Sequence, residues 1–151
     1  MYKAVNVSDV SKALVAMLSD DQNLADINAT ICRSEVLNET PAMCPWLGIY
    51  RVMVNFQPRT LGVGGVGGSM RQLIDMAIVA QQSDGTSGEQ CEDRLEELMA
   101  ALCSALLSDT TVRGTVQIMS EMSISYDDYK VSGEQFMQTA ILRATYETRV
   151  S

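Results

Sequence analysis

The sequence of 151 residues contains no histidine. That removes the side chain whose ordinary pKa lies closest to neutrality, and with it the Ser-His and Cys-His pairs of nucleophilic catalysis. A zinc site would need all four thiols, Cys32, Cys44, Cys91 and Cys103, and none of these forms a C-x-x-C pair. Basic residues are scarce, 11 against 19 acidic, for a net charge of −8. So acidic a chain is a poor candidate for wrapping the outside of a nucleic acid, which needs clustered Lys and Arg. It remains compatible with DNA passing through an acidic hole made by several copies. Apolar runs are short, and none reaches the 18 or so residues needed to span a bilayer, so no membrane partner is expected. The residues ahead of the first helical pattern do not read as a secretory signal. The expectation is a chain kept in a reducing cytoplasm, with free thiols and unglycosylated N-x-[ST] triplets at Asn6, Asn28 and Asn38.

Adjacent acids occur at Asp127–Asp128 and Glu96–Glu97, but the first pair falls in a turn pattern and the second on an exposed helix face. Glycosidase-like chemistry needs carboxyls set across a cleft, so both pairs read as solvated surface. The string Gly62, Gly64, Gly65, Gly67 matches G-x-G-x-x-G in letters. A dinucleotide site needs that string between a strand and a helix, and here a second strand pattern follows. No catalytic residue, cofactor or metal is expected, and the chain is read as not an enzyme.

With 46% hydrophobic and 20% charged residues, the composition is that of one globular domain spanning 1–151, with a core sustained without disulfides or metal. Val10, Ala13, Leu14, Met17 and Leu18 predict a helix over 8–19, with Ser8 as N-cap and Asp20–Asn23 as its end. Residues 29–35 read as a short strand, followed by an irregular stretch, 37–45, containing the breakers Pro41 and Pro45. Residues 48–57 alternate, with Tyr50, Val52, Val54 and Phe56 on one side and Arg51, Met53, Asn55 and Gln57 on the other. Pro58 ends the ladder. Residues 70–81 alternate again through Met70, Gln72, Ile74, Met76, Ile78 and Ala80. Between the two strands a hairpin loop over 58–69 carries Gly62, Gly64, Gly65, Gly67 and Gly68 and is expected to be flexible. A long loop of this kind also suits a segment that orders on a partner.

The strongest element is an amphipathic helix over 86–107. Its stripe is Cys91, Leu95, Leu98, Met99, Leu102, Ala105 and Leu106, its cap Thr86 or Ser87. Period-two patterns over 114–126 and 135–149 predict a final hairpin turning at Asp127–Lys130 and Gly133. The reading is an α+β fold in the order α-β-β-β-α-β-β, with two helices on one face of a mostly antiparallel sheet. Its semi-polar outer face includes Arg51, Asn55, Arg71 and Asp75. At least two sheet edges need cover, which identical copies could supply to one another.

Charge is split along the chain. Arg33, Arg51, Arg59 and Arg71 face only Glu35 and Glu39 over 33–71. Six acids, including Glu92 and Glu96, face Arg94 alone over 84–97. Opposite patches on one chain suit contacts between successive copies, and the plainer reading of the acidic run is an ordinary solvated helix face. Trp46, the single tryptophan, suits either a core anchor or an interface anchor.

Three stretches resemble the tail terminator (tail completion) proteins of long-tailed bacteriophages. They are the run from Ile31, Cys32 and Arg33 through Glu35, Asn38, Glu39, Pro41, Cys44, Pro45, Trp46, Gly48, Tyr50 and Arg51; the run Ser87 to Leu95 with Cys91, Asp93 and Arg94; and Glu134 to Ala140 with Phe136 and Thr139. The resemblance implies a virion protein at the tail–neck junction, made in the host cytoplasm. It implies a homo-oligomeric ring, a hexamer in that family, that caps the tail tube, ends its polymerisation and presents a surface to the head. Its partners would be its own copies, the tail tube protein and head–tail connector proteins, with DNA passing through the lumen without specific binding. Arg33, Arg51, Arg59, Arg71, Glu92, Glu96, Trp46 and the loop glycines are the candidate contacts. A head–tail connector subunit joining portal to tail would carry the same physics, and a small cytoplasmic enzyme is the reading from another class.

Overall fold

The computed structural model describes residues 3–33, 44–58, 70–127, 130–132 and 134–150. The irregular stretch 37–43, Arg59 and the glycine loop lie outside the described residues.

Helix α1 spans Val7–Ser19 and buries Val10, Leu14, Met17 and Leu18. Its cap is Asn6, whose side chain accepts the Ser8 N–H at 2.9 Å, so Ser8 lies within the first turn and is not the cap itself. Helix α1 ends at its Asp20 C-cap, as expected, but the chain then re-enters helix at once. Asp21 accepts the Leu24 N–H at 3.0 Å and starts a one-turn helix, α2, over Gln22–Asp26. The single apolar side chain it buries, Leu24, is wholly inaccessible. Strand β1 covers Thr30–Arg33, β2 Trp46–Pro58 and β3 Met70–Asp84.

Helix α3 spans Gly88–Ser108 and buries the whole stripe expected of it, from Cys91 to Leu106. Each fully buried Leu in that stripe contributes about 1.5–3 kcal/mol. Ser87 caps it through the Gln90 N–H at 3.1 Å. Asp84, 3% exposed, accepts the Thr86 and Ser87 N–H groups and pairs with Arg94 at 3.2 Å. Those bonds, led by the Thr86 N–H, hold its carboxyl below the usual range. Asp84 is thus the buried joint between β3 and α3 and not a member of an exposed acidic strip.

Strands β4, Ile118–Tyr126, β5, Lys130–Ser132, and β6, Gln135–Val150, complete the sheet. The observed order, α-α-β-β-β-α-β-β-β, adds α2 and β5 to the expected one. Lys130, expected in a turn, pairs with Met137. The strand order is β1-β2-β3-β6-β4, with β5 also on β6. All pairings are antiparallel except β1 with β2. Helix α3 lies over β3 and β6 and α1 over β1 and β2. One core, centred on Ile74, Met76, Ile78, Leu142 and Tyr146, fills the space between the layers.

Two bulges alter the side-chain phase. The β2–β3 register slips between Arg51 and Met53, leaving Val52 extra, and the β4–β6 register slips between Met119 and Glu121, leaving Ser120 extra. A bulge inserts one residue and reverses the alternation beyond it. Leu47 and Ile49 therefore face the core before the first bulge, and Val54 does after it. Arg51, expected on the outer face, pairs with Met76 and shares its helix-facing side. In β4 the expected phase holds for Met122, Ile124 and Tyr126, which pair with core-facing residues of β6, but Ile118 falls on the outer face. Strand β4 also begins later than the expected 114. Residues 112–114 sit in left-handed backbone, at φ 47, 55 and 80, and Asp109 holds that turn by accepting the Thr111 and Arg113 N–H groups.

Candidate assembly surface

Apart from Leu107 near the end of α3, the exposed large apolar side chains among the described residues gather on the margins of the sheet. Strand β1 flanks β2 only along Trp46–Ile49. From Tyr50 to Pro58, β2 has β3 on one side and no described strand on the other. This free margin carries Val52, Met53 and Phe56, 39%, 56% and 47% exposed. An open depression runs along Arg51–Val54. On the opposite margin, β4 pairs with β6 alone among the described strands. It carries Ile118 and Tyr126, 52% and 49% exposed, with Val131 of β5 beyond. Solvated apolar side chains beside unpaired backbone are what a sheet edge shows before it meets a partner.

The margins differ in charge. Arg51 on β2 is exposed and makes no ion pair among the described residues. On the other side Glu121 lies on β4, and the exposed Glu92 and Glu96 of α3 stand near Tyr126. The Tyr126 hydroxyl donates to Glu96, and that bond, with burial and the negative field, raises its pKa. On the helix side, then, one margin carries Arg51 beside apolar side chains and the other Glu92 and Glu96, while on the outer face of the second margin Glu121 is accompanied by the exposed Arg143 opposite Ser123.

The remaining candidate contacts separate. Arg71 is committed inside the chain, its Nε 2.9 Å and Nη2 3.0 Å from the two Glu147 carboxylate oxygens. Its guanidinium pairs with β6 on the outer face, and its side chain is 34% exposed. Arg33 ends β1 and approaches the Ser8 hydroxyl. Trp46, 3% exposed, is an anchor within the chain, with its side chain hydrogen-bonded to Cys32. Arg59, Gly62, Gly64, Gly65, Gly67 and Gly68 lie outside the described residues.

Sequence reading did not single out Met53, Phe56, Ile118, Glu121 and Tyr126 as exposed residues of the sheet margins. Val52 and Phe56 looked like core because their alternation is apolar. Only the three-dimensional structure shows them 39% and 47% exposed. Burial raises the pKa of Cys32, Cys91 and Cys103. No group of potential metal ligands occurs among the described residues. No described helix is long and apolar enough to cross a membrane.

No protein-family model matches the chain, and no curated protein matches it. Among solved structures, a chain of the virion of a native gene transfer agent (GTA) particle aligns with a TM-score of 0.37 and 10% identity. The alignment covers 91% of this chain and 93% of that one.

Proposed function

We propose that this protein is a structural virion component whose copies close into a ring at the head end of a phage tail tube. There the ring ends tube polymerisation and presents the surface to which the head attaches. The observation that carries this reading is the pair of unlike, uncovered sheet margins on opposite sides of one subunit. A contact between two different patches is head-to-tail, and such contacts either close into rings or run on as filaments. The positive margin at Arg51 and the acidic margin at Glu92 and Glu96 favour one orientation of neighbours and disfavour the reverse. The resemblance of the runs around Trp46, Cys91 and Phe136 to tail terminators points the same way.

On this reading the protein performs no chemistry, DNA passes through the lumen unbound, and the neighbours along the particle axis are the tail tube and a connector. Residues 62–68 are assigned to the contact with the tube. Replacing them with a two-residue turn should leave the fold intact and abolish capping. The direct test is electron microscopy of the purified protein mixed with tail tubes. Rings seated on one end of the tubes, and overlong tubes when the protein is omitted from assembly, are the expected results. Rings that bind only the portal side would assign the protein to the connector instead. Tubes of normal length without the protein would overturn the reading.

A further inference from the structure

The joint between copies can be specified from the backbone. This inference rests on the ring reading above. The Asp127 N–H donates to the Thr139 carbonyl at 2.9 Å, so these residues form a hydrogen-bonded pair of the β4–β6 ladder. Hydrogen-bonded and non-bonded pairs alternate along an antiparallel ladder. Ser123 and Ser125 therefore turn their backbone groups to β6, while Met122, Ile124 and Tyr126 turn theirs to the open margin. Carried through β6 and β3, the same alternation leaves the backbone groups of Val54 and Phe56 facing out from β2. Both outward sets have their side chains on the helix side. Val54 and Phe56 stand opposite Ile74 and Gln72, and Met122, Ile124 and Tyr126 opposite Ala144, Leu142 and Ala140.

Direction matches as well. Strands β2, β3, β6 and β4 alternate, so β2 and β4 run oppositely. A second copy placed alongside, with its helices on the same side, presents β4 antiparallel to β2, with bonding groups in phase. Strand β1 sets the register. It occupies the flank of β2 as far as Ile49, and Tyr126 is level with Leu47 through Ala140 and Ala80. The neighbour's strand must slide past the end of β1 until Tyr126 meets the bulge at Arg51–Val52. That step sets Ile124 opposite Val54, Ser123 opposite Asn55 and Met122 opposite Phe56. It also brings Glu96, bonded to the Tyr126 hydroxyl, alongside the uncommitted Arg51.

We propose that copies of this chain join by antiparallel pairing of β2, from the bulge to Pro58, with β4 of the next copy in this register, and that Arg51 meets the neighbour's Glu96. The joint extends one sheet around the ring. It covers Val52, Phe56 and Tyr126 on the helix side and Met53 on the other.

Two measurements on the full chain test this. Asn55 and Ser123 are both exposed and would form a non-bonded pair, with Cα atoms about 4.5 Å apart and within disulfide range. The variant carrying Asn55→Cys and Ser123→Cys should oxidise to a covalent ladder ending at the closed ring. It should do so about tenfold faster than Asn55→Cys with Glu121→Cys or with Ser125→Cys, the unsubstituted chain giving the thiol background. Separately, Arg51→Glu alone and Glu96→Arg alone should fail to form rings, each setting like charges together. An equimolar mixture should recover them as alternating rings, in which every joint again has opposite charges. Circular dichroism checks that each variant folds. Rings that form while position 123 cross-links no faster than 121 or 125, or while both single charge variants assemble like the unsubstituted chain, overturn the pairing and leave the ring reading standing. A chain that stays monomeric in solution and on tail tubes overturns both.

Discussion

Tyr146 offers a sharp test of the packing because the expected effect is a gain. Its side chain is wholly inaccessible in the middle of β6, opposite Ile74 on one side and Met119 on the other. Its hydroxyl is buried and has no hydrogen-bond partner among the described residues. Burial, with a smaller contribution from Asp109, drives its pKa far above the usual tyrosine value. A buried hydroxyl without a partner costs about 1–3 kcal/mol. Replacing it in Tyr146→Phe leaves a void one oxygen atom in size, with a loss of only about a few tenths of a kcal/mol in dispersion contacts. The net expectation is a stabilisation of about 1–2 kcal/mol, or a rise in Tm of about 2–4 °C per kcal/mol for a domain of this size. Urea unfolding of both proteins at one fixed concentration is the assay, since assembly would otherwise shift the midpoint. The midpoint should rise with an unchanged m-value. A midpoint that falls with unchanged m would show that the hydroxyl is bonded in solution, and the reasoning would fail.

Asp84→Asn should weaken the β3–α3 joint in a pH-dependent way. The folded pKa of Asp84 is lowered, first by the Thr86 N–H. Its contribution is therefore complete above the unfolded carboxyl pKa of about 3.9 and is lost as pH falls from there through the folded value. Melting curves of the two proteins should converge in acid, and a gap that widens there would contradict the assignment. Leu98→Ala, at the centre of the α3 stripe and 1% exposed, should cost about 2–5 kcal/mol in the same urea assay; a loss well below that range would mean the site collapses. Asp21→Ala removes the cap of α2 and should cost about 1 kcal/mol. Amide exchange of Leu24 should speed up well before that of α1, and uniform exchange across both helices would argue against an independently capped turn.

Elements with many repeats of one period were legible from residues alone. The α3 stripe shows its face over a long run of turns, and all of it is buried. Strands β3 and β6 alternate without interruption, and Ile74, Met76, Ile78, Leu142, Ala144 and Tyr146 face the core as the pattern requires. Helix α2 was not legible, because a five-residue helix with one buried side chain has no periodicity to read. The bulges at Val52 and Ser120 were not legible either. An inserted residue has no distinctive residue type here, and it reverses every inward and outward assignment on its far side. The early start given to β4 has a similar cause: the left-handed turn at Val112 and Arg113 uses residues that rarely adopt that backbone.

For the candidate surface the division is sharper. Composition alone disfavoured histidine-based catalysis and broad phosphate binding, and the charge split along the chain pointed to contacts between unlike patches. Which charges remain available was settled in three dimensions. Arg71 is taken by Glu147 and Asp84 by its own helix cap, while Arg51 stays open. The two margins themselves are defined by which described strands lie side by side: β1 flanks β2 along Trp46–Ile49, and no described strand flanks the far side of β4. A residue's period records which side of a strand it faces. Whether another strand lies beside it depends on contacts between distant parts of the chain, and local pattern does not carry that information.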